Sequence, residues 1–213
     1  GTTDTATLTI TVTGVGPGAV NDAGAVNENA TLTKNAGAGI ISNDDDNSSY
    51  DSESLAVTAI RVGAESGSGT AGSIGSALTG TYGVLTIAAD GSYSYVANQD
   101  AADALDAGDT ATDTFTYTVS DGNEGTDTAT LTITVLGVDD DPVGVNDTGA
   151  VNEDKTLTVN SGSGTLSNDT DADDSSSLSI TAISGGTVGS ALTGTYGVLT
   201  LAADGSYSYV SNT

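Results

Sequence analysis

The sequence has 213 residues, and its 29 acidic residues against three basic ones give a formal net charge of −26. This charge excludes nucleic acid and an anionic membrane surface as partners, because both would be repelled. Cysteine and histidine are absent, so disulfides, thiolate metal sites and thiol nucleophiles are excluded as well. No stretch of about 18 apolar residues is present that would insert into a membrane as a helix.

The chain is made of repeats. Residues 76–98 and 190–212 differ at only two positions, and residues 3–12 and 126–135 are identical. The offset between copies falls from 125 near Asn21 to 114 at Ser76, so the first copy carries 11 extra residues around positions 61–72. We therefore predict the last strand of a preceding repeat over residues 1–16, a complete repeat over 17–137, and an incomplete repeat over 138–213 that lacks its final strands.

Hydrophobic residues alternate with threonine in these repeats, which indicates strands. Leu131, Ile133 and Val135 are separated by single threonines, and residues 115–119 and 55–59 have a similar period of two. About seven short strands in a repeat of this length are typical of an antiparallel sandwich with one wet face per sheet. The predicted fold class is all-β, with tandem Ig-like (cadherin-like) antiparallel β-sandwich repeats.

A hairpin is predicted at Asp90-Gly91 and again at its copy, Asp204-Gly205. Each dipeptide lies between two alternating hydrophobic runs. Asp-Gly in this setting favours a two-residue turn, because glycine accepts positive φ without steric cost.

Two motifs resemble a known family. They are LTIAADGSYSY at residues 85–95, copied as LTLAADGSYSY at 199–209, and DTFTYTVSDGNEGTDTATLTITV at 113–135. Together they resemble the VCBS-type, cadherin-like repeats of large bacterial RTX-type surface adhesins. The resemblance implies Ig-like extender modules of extracellular or bacterial cell-surface proteins involved in adhesion or biofilm, often dependent on calcium.

The acidic residues gather at the predicted strand ends, which indicates sites for a hard cation. Calcium takes six to eight oxygen ligands from carboxylates, carbonyls and water. Asp169, Asp171 and Asp173 alternate along one side of an extended loop, and Asp44 and Asp46 hold the corresponding positions in the first copy. We expect Ca²⁺ as the cofactor. The candidate ligands are Asp22, Glu28, Asp44, Asp46, Asp121, Asp139, Asp140, Asp141, Asp147, Glu153, Asp169, Asp171 and Asp173.

The linker between the repeats carries the densest acidic run, Asp139-Asp140-Asp141. With Asp121 near the end of one repeat and Glu153 near the start of the next, it is a candidate for an ion that stiffens the junction. The alternative is that acidic linkers merely keep a surface protein soluble and extended by self-repulsion.

Catalysis is not expected. Paired carboxylates are the remaining catalytic possibility, as in glycoside hydrolysis, and they need a substrate cleft. Most of the eight tyrosines and the one phenylalanine lie on alternating strand positions, where packing in a core explains them. We therefore predict that the chain is not an enzyme.

Two functions remain, both mechanical. In the first, calcium-stiffened repeats, whose partners are neighbouring repeats of the same chain, extend an adhesin from the cell. In the second, like chains assemble into an extracellular filament or sheath by strand complementation between incomplete repeats. Direct glycan or protein binding by the Gly/Ser-rich insert at residues 61–72 is a third, weaker alternative.

Overall fold

The computed structural model describes residues 1–10, 15–47, 54–123, 125–173 and 177–212. The chain forms two compact units, Gly1–Val138 and Asp139–Thr213. Part of the strand predicted over residues 1–16 lies outside the described residues, namely positions 11–14.

The first unit is a β-sandwich of two sheets. Its described strands are β1 (Asp22–Asn27), β2 (Thr31–Lys34), β3 (Ala56–Val62), β4 (Ala71–Gly72), β5 (Leu78–Thr79), β6 (Val84–Ile87), β7 (Tyr93–Val96), β8 (Thr110–Ser120) and β9 (Thr126–Leu136). One sheet has the order β1-β9-β8-β3-β4 and the other the order β2-β7-β6-β5. A short 3-10 helix (Ala36–Ala38) and a four-residue helix, α1 (Asp100–Asp103), lie in the connections. The prediction of an all-β, Ig-like fold is confirmed.

The core lies between the two sheets and follows the predicted alternation. Leu131, Ile133 and Val135 of β9 are fully buried, while the threonines between them are only partly buried. Tyr95 of the opposite sheet meets Phe115 edge-on, with ring centroids 6.2 Å apart. This packing fixes the strand register, since a slip of one residue would turn the buried face outwards.

One strand pair differs from the predicted antiparallel arrangement, and the insert of the first repeat is partly ordered. β1 and β9 pair in parallel, with Asp22 opposite Leu131 and Gly24 opposite Ile133, whereas the other described pairs are antiparallel. The insert at residues 61–72 is partly ordered as a hairpin, because Ile60 and Arg61 of β3 pair with β4.

The Asp90-Gly91 hairpin closes through three residues rather than two. The Ala88 N–H donates to the Ser92 carbonyl at 2.9 Å, and the Gly91 N–H donates to the Ala88 carbonyl at 3.0 Å. Gly91 has φ +78, whereas Asp90 is not among the residues with positive φ. A two-residue type I′ turn needs positive φ at both positions, so the chain uses a type I turn followed by a left-handed glycine.

The second unit consists of one described sheet. Its strands are β10 (Thr156–Val159), β11 (Ala191–Thr193), β12 (Gly197–Leu201) and β13 (Tyr207–Ser211), in the order β10-β13-β12-β11, and a 3-10 helix spans Ser161–Ser163. This order and register repeat those of β2-β7-β6-β5. For example, Leu157 and Leu199 both lie opposite Tyr209, as Leu32 and Leu85 lie opposite Tyr95.

Residues 1–10 are exposed and belong to none of the described strands. Within the described part of the chain, no helix has the length and apolar character needed to cross a membrane.

Candidate metal centre

Two loops of the first unit meet where residues 18–20 run beside residues 44–45. Gly18 and Asp45 exchange backbone hydrogen bonds of 2.7 and 3.0 Å. Beside this bridge, the Val20 N–H donates to Oδ1 of Asp44 at 2.7 Å. The bridge and this bond fix the Asp44 carboxylate at the start of the first repeat.

The hydroxyl of Tyr117 lies in a group of oxygen atoms at the same place. It is 2.7 Å from Oδ2 of Asp22, 2.9 Å from the Val20 carbonyl oxygen and 3.1 Å from the Ile40 carbonyl oxygen. One hydroxyl proton serves only one acceptor at a time. The surroundings are therefore rich in oxygen and poor in donors.

The electrostatics of this group disfavour negative charge. Burial raises the pKa of Asp22 to about 6, and the negative charge of Asp44 adds to the increase, while the hydrogen bond from Tyr117 opposes it. Burial also raises the pKa of Asp44, the Val20 N–H and the nearby Tyr117 hydroxyl oppose this increase, and the charge of Asp127 adds to it. The Tyr117 proton is within hydrogen-bond distance of Asp22 rather than of Asp44. Oδ2 of Asp44 is buried and accepts no hydrogen bond. Half-buried carboxylates of like charge are a place where a cation would be stabilising.

The second unit builds the same pair of loops. Val143 and Thr170 exchange backbone hydrogen bonds of 2.8 and 3.1 Å. The Val145 N–H donates to Oδ1 of Asp169 at 2.6 Å, as Val20 does to Asp44. Asp147, which corresponds to Asp22, is exposed.

In the second unit, further acids are connected by hydrogen bonds from backbone N–H groups to carboxylates. The Asp173 N–H donates to Oδ1 of Asp171 at 3.1 Å, and the Asp140 N–H donates to Oδ2 of Asp173 at 3.0 Å. Asp173 is buried, and its Oδ1 accepts no hydrogen bond. This is a second buried carboxylate oxygen without a donor, in the run where alternating ligands are predicted.

Other predicted ligands have local structural roles or lie in solvent. Glu28 is buried and accepts the Val138 N–H. Asp121 closes its own turn by accepting the N–H groups of Asn123 at 2.9 Å and Gly125 at 3.3 Å. Asp46 is half-buried. The exposed members of the set are Asp139, Asp141, Asp147 and Glu153.

Across the described ranges, no three acidic side chains converge in a way that could hold a metal ion by themselves. Ligands for calcium would have to include carbonyl oxygens and water, which this ion accepts readily. The residues present fit that requirement, since the buried Oδ2 of Asp44 lacks a donor and the carbonyls of Val20 and Ile40 point at the Tyr117 hydroxyl.

Asp113 is a buried acid that was not predicted as a functional residue from the sequence. Its side chain is 4% exposed and accepts four hydrogen bonds, from the N–H groups of Thr81 (2.8 Å), Tyr82 (3.0 Å) and Gly83 (3.1 Å) and from the Tyr95 hydroxyl (2.7 Å). These donors satisfy the carboxylate, so its role is to join the two sheets. A signal was available, because Asp113 is in phase with the inward-facing residues 115, 117 and 119.

Asp127 is a second acid that was not predicted as a functional residue from the sequence. Its Oδ2 accepts the Ala19 N–H at 2.8 Å, and its charge acts on Asp44. It lies in a threonine-rich strand with no acidic neighbour in sequence, so only the fold brings it to the candidate site.

Comparison with known proteins identifies the family. A model of the bacterial cadherin-like domain matches residues 15–137 and again 139–213, while curated proteins give no match. Domains of this kind are structural, adhesion-type repeats, and their fold is non-catalytic. The chain therefore belongs to the bacterial cadherin-like domain family.

Proposed function

We propose that this chain is a calcium-stiffened extender segment of a large bacterial cell-surface or secreted adhesin of the VCBS/RTX type, involved in cell adhesion or biofilm. Bacterial cadherin-like domains are typically extracellular, and domains of this type commonly bind calcium. Outside a cell, an affinity of about 10⁻⁴–10⁻³ M suffices for such modules.

The observation that carries the proposal is the buried Oδ2 of Asp44. A carboxylate oxygen removed from water without a hydrogen bond costs about 1–3 kcal/mol, and more when it is charged. The charge of Asp44 also acts on Asp22, whose pKa is raised to about 6 mainly by burial and in smaller part by that charge. A bound cation offsets both contributions.

In the first unit, the residues that would hold calcium are Asp22, Asp44 and the carbonyl group of Val20. In the second unit, Asp169 holds the position of Asp44, and Asp171 and Asp173 are proposed as further ligands together with carbonyl oxygens and water. The linker acids Asp139–Asp141 are proposed as further ligands from their sequence alone. When bound, calcium supplies the positive charge that neutralises these carboxylates. The protein's own contribution is to position them, through the backbone bridge and the N–H bond to Asp44 or Asp169.

Thermal unfolding with a calcium titration tests the proposal. The full chain is first treated with a chelator, and magnesium and sodium chloride serve as controls for general screening. Calcium at 100 times its Kd stabilises the folded state by about 2.7 kcal/mol, which raises Tm by several degrees or more. A calcium response no larger than the magnesium response contradicts the proposal.

Single substitutions sharpen this test. Asp44→Asn removes one charge and keeps an oxygen for the Val20 N–H, so we expect unchanged or slightly higher stability in chelator and a smaller gain with calcium. Asp90→Asn is the matched control. It removes one charge from an exposed turn, where the side chain accepts hydrogen bonds from Ser92. Equal calcium responses of the two variants would exclude Asp44 as a ligand.

A further inference from the structure

The first and last described strands of the first unit pair with each other in parallel. β1 lies beside the C-terminal half of β9, with Asp22 opposite Leu131 and Asn27 opposite Leu136. Among the named strands of the described ranges, this is the one parallel pair. Because the two strands run in the same direction, the chain enters the pair at one end and leaves it at the other.

Side chains extend this pair at the end where the chain enters β1. Oδ1 of Asn21 accepts hydrogen bonds from the Thr130 N–H at 2.8 Å and from the Thr130 hydroxyl at 3.0 Å. Two residues earlier, the Ala19 N–H donates to Oδ2 of Asp127 at 2.8 Å. The segment that leads into β1 is therefore bound to the N-terminal half of β9 as well.

The pair is also closed at the end where the chain leaves β9. The Glu28 N–H donates to the Leu136 carbonyl at 2.9 Å, which continues the ladder by one residue. The buried carboxylate of Glu28 accepts the Val138 N–H. Val26 of β1 is buried in the core, so apolar packing holds this strand in addition to the hydrogen bonds. Contacts thus connect the chain to β9 from Ala19 to Glu28.

We propose that the β1–β9 pair, with these side-chain contacts, is the element of the first unit that bears tension applied along the chain. Such tension pulls apart the chain before β1 and the chain after β9. In a parallel pair these two points lie at opposite ends, so the force acts along the strands and stretches the hydrogen bonds together. An antiparallel pair would have both points at the same end, where the bonds would break one after another.

This inference rests on the proposed function in one respect, since an extender segment transmits tension. It does not depend on calcium, because the contacts that carry it are hydrogen bonds between the strands, their side-chain extensions and apolar packing. Mechanical measurements in chelator therefore test the strand pair alone, whereas the calcium titration of thermal unfolding tests the ion alone.

Single-molecule force spectroscopy of the full chain in chelator tests the proposal. The chain has no cysteine of its own, so two introduced cysteines define where the force is applied. Val15→Cys with Asp139→Cys gives the along-pair arrangement. Val15→Cys with Thr126→Cys gives the one-end arrangement, since a Cβ at Gly16 would lie 3.6 Å from the Thr126 backbone nitrogen. The three replaced side chains are exposed, so both variants should fold.

We expect the rupture force in the along-pair arrangement to be several times that in the one-end arrangement at the same pulling speed. Forced unfolding is governed by the unfolding rate, and only the first arrangement requires the bonds to break together. Each rupture there should lengthen the chain by about 400 Å, since roughly 124 residues extend at about 3.5 Å each. Equal forces in the two arrangements overturn the proposal. So does an along-pair force that rises to this level only with calcium, since an ion would then bear the tension.

Asn21→Ala tests whether side chains extend the tension-bearing element. It leaves the N–H and the hydroxyl of Thr130 without this acceptor, so it should lower the along-pair rupture force. Thr58→Ala is the matched control, because the exposed Thr58 hydroxyl donates to the Thr118 carbonyl at 3.3 Å between β3 and β8, away from the β1–β9 pair. Urea denaturation should show similar, small losses of stability in both variants. A fall in force no larger for Asn21→Ala than for Thr58→Ala overturns the place given to Asn21 in this element.

Discussion

The hydroxyl of Tyr117 donates a hydrogen bond of 2.7 Å to Oδ2 of Asp22 and so joins β8 to β1 across the intervening β9. Tyr117→Phe removes this bond and leaves buried acceptor oxygens without it. We expect a loss of about 1–2 kcal/mol in the free energy of unfolding, measured by urea denaturation of the full chain. Tyr196→Phe is the control, since Tyr196 is 80% exposed. Equal stability of Tyr117→Phe and the parent would mean that this bond contributes nothing.

Asp113 offers a stronger test of how the sheets are held together. Asp113→Ala leaves the N–H groups of residues 81–83 and the Tyr95 hydroxyl without their acceptor, in a buried place. We expect a loss of about 3–5 kcal/mol in unfolding free energy, the range for breaking a buried charged network from one side. Asp109→Ala, which removes an exposed acid next to β8, should have an effect within about 0.5 kcal/mol. Similar losses from both substitutions would argue against a special role for Asp113.

The strands were predictable because their cause is local. Leu131, Ile133 and Val135 alternate with threonine, and an alternating pattern with one buried face has only one favourable register. The parallel pairing of β1 with β9 was not predictable in this way. These strands are about a hundred residues apart, and neither strand's sequence indicates that β1 pairs with β9 or in which direction.

For the candidate site, the sequence predicts that acidic residues gather at strand ends, but not which of them are buried. Asp44 and Asp121 look alike in sequence, since both are acids at the end of a hydrophobic run. In the fold, the Asp121 carboxylate accepts hydrogen bonds from N–H groups of its own turn. One oxygen of Asp44, by contrast, is buried without a hydrogen-bond donor. This distinction depends on burial, and burial depends on tertiary contacts such as those of Tyr117.

Substitution of Gly91 tests how much the conformation of the Asp90-Gly91 turn contributes to stability. Gly91 has φ +78, and a Cβ at this position would lie 2.6 Å from Cγ1 of Ile41. Gly91→Ala should therefore cost at least the 1–2 kcal/mol of a left-handed residue with a side chain, with further loss from the contact. Gly67→Ala in the exposed insert should have little effect, because the nearest atom, the Ala64 carbonyl oxygen, is 3.4 Å away. Chemical denaturation of both variants makes the comparison, and an unaffected Gly91→Ala would show that the turn adapts.

The raised pKa of Asp22 predicts the direction in which the stability of the fold changes with pH. Its pKa rises from 3.8 to about 6 on folding because of burial, so between these values the folded chain holds a proton that the unfolded chain releases. The contribution of Asp22 to stability therefore falls as pH rises from about 4 to 6 and is constant above that. One pKa unit corresponds to about 1.4 kcal/mol, and partial solvent screening reduces the whole effect to roughly 1 kcal/mol. Unfolding in chelator at pH 5 and pH 7 measures it as the difference between the parent and Asp22→Asn, which cancels the other acids. A parent that loses more stability than Asp22→Asn on acidification would reverse the sign and contradict the raised pKa.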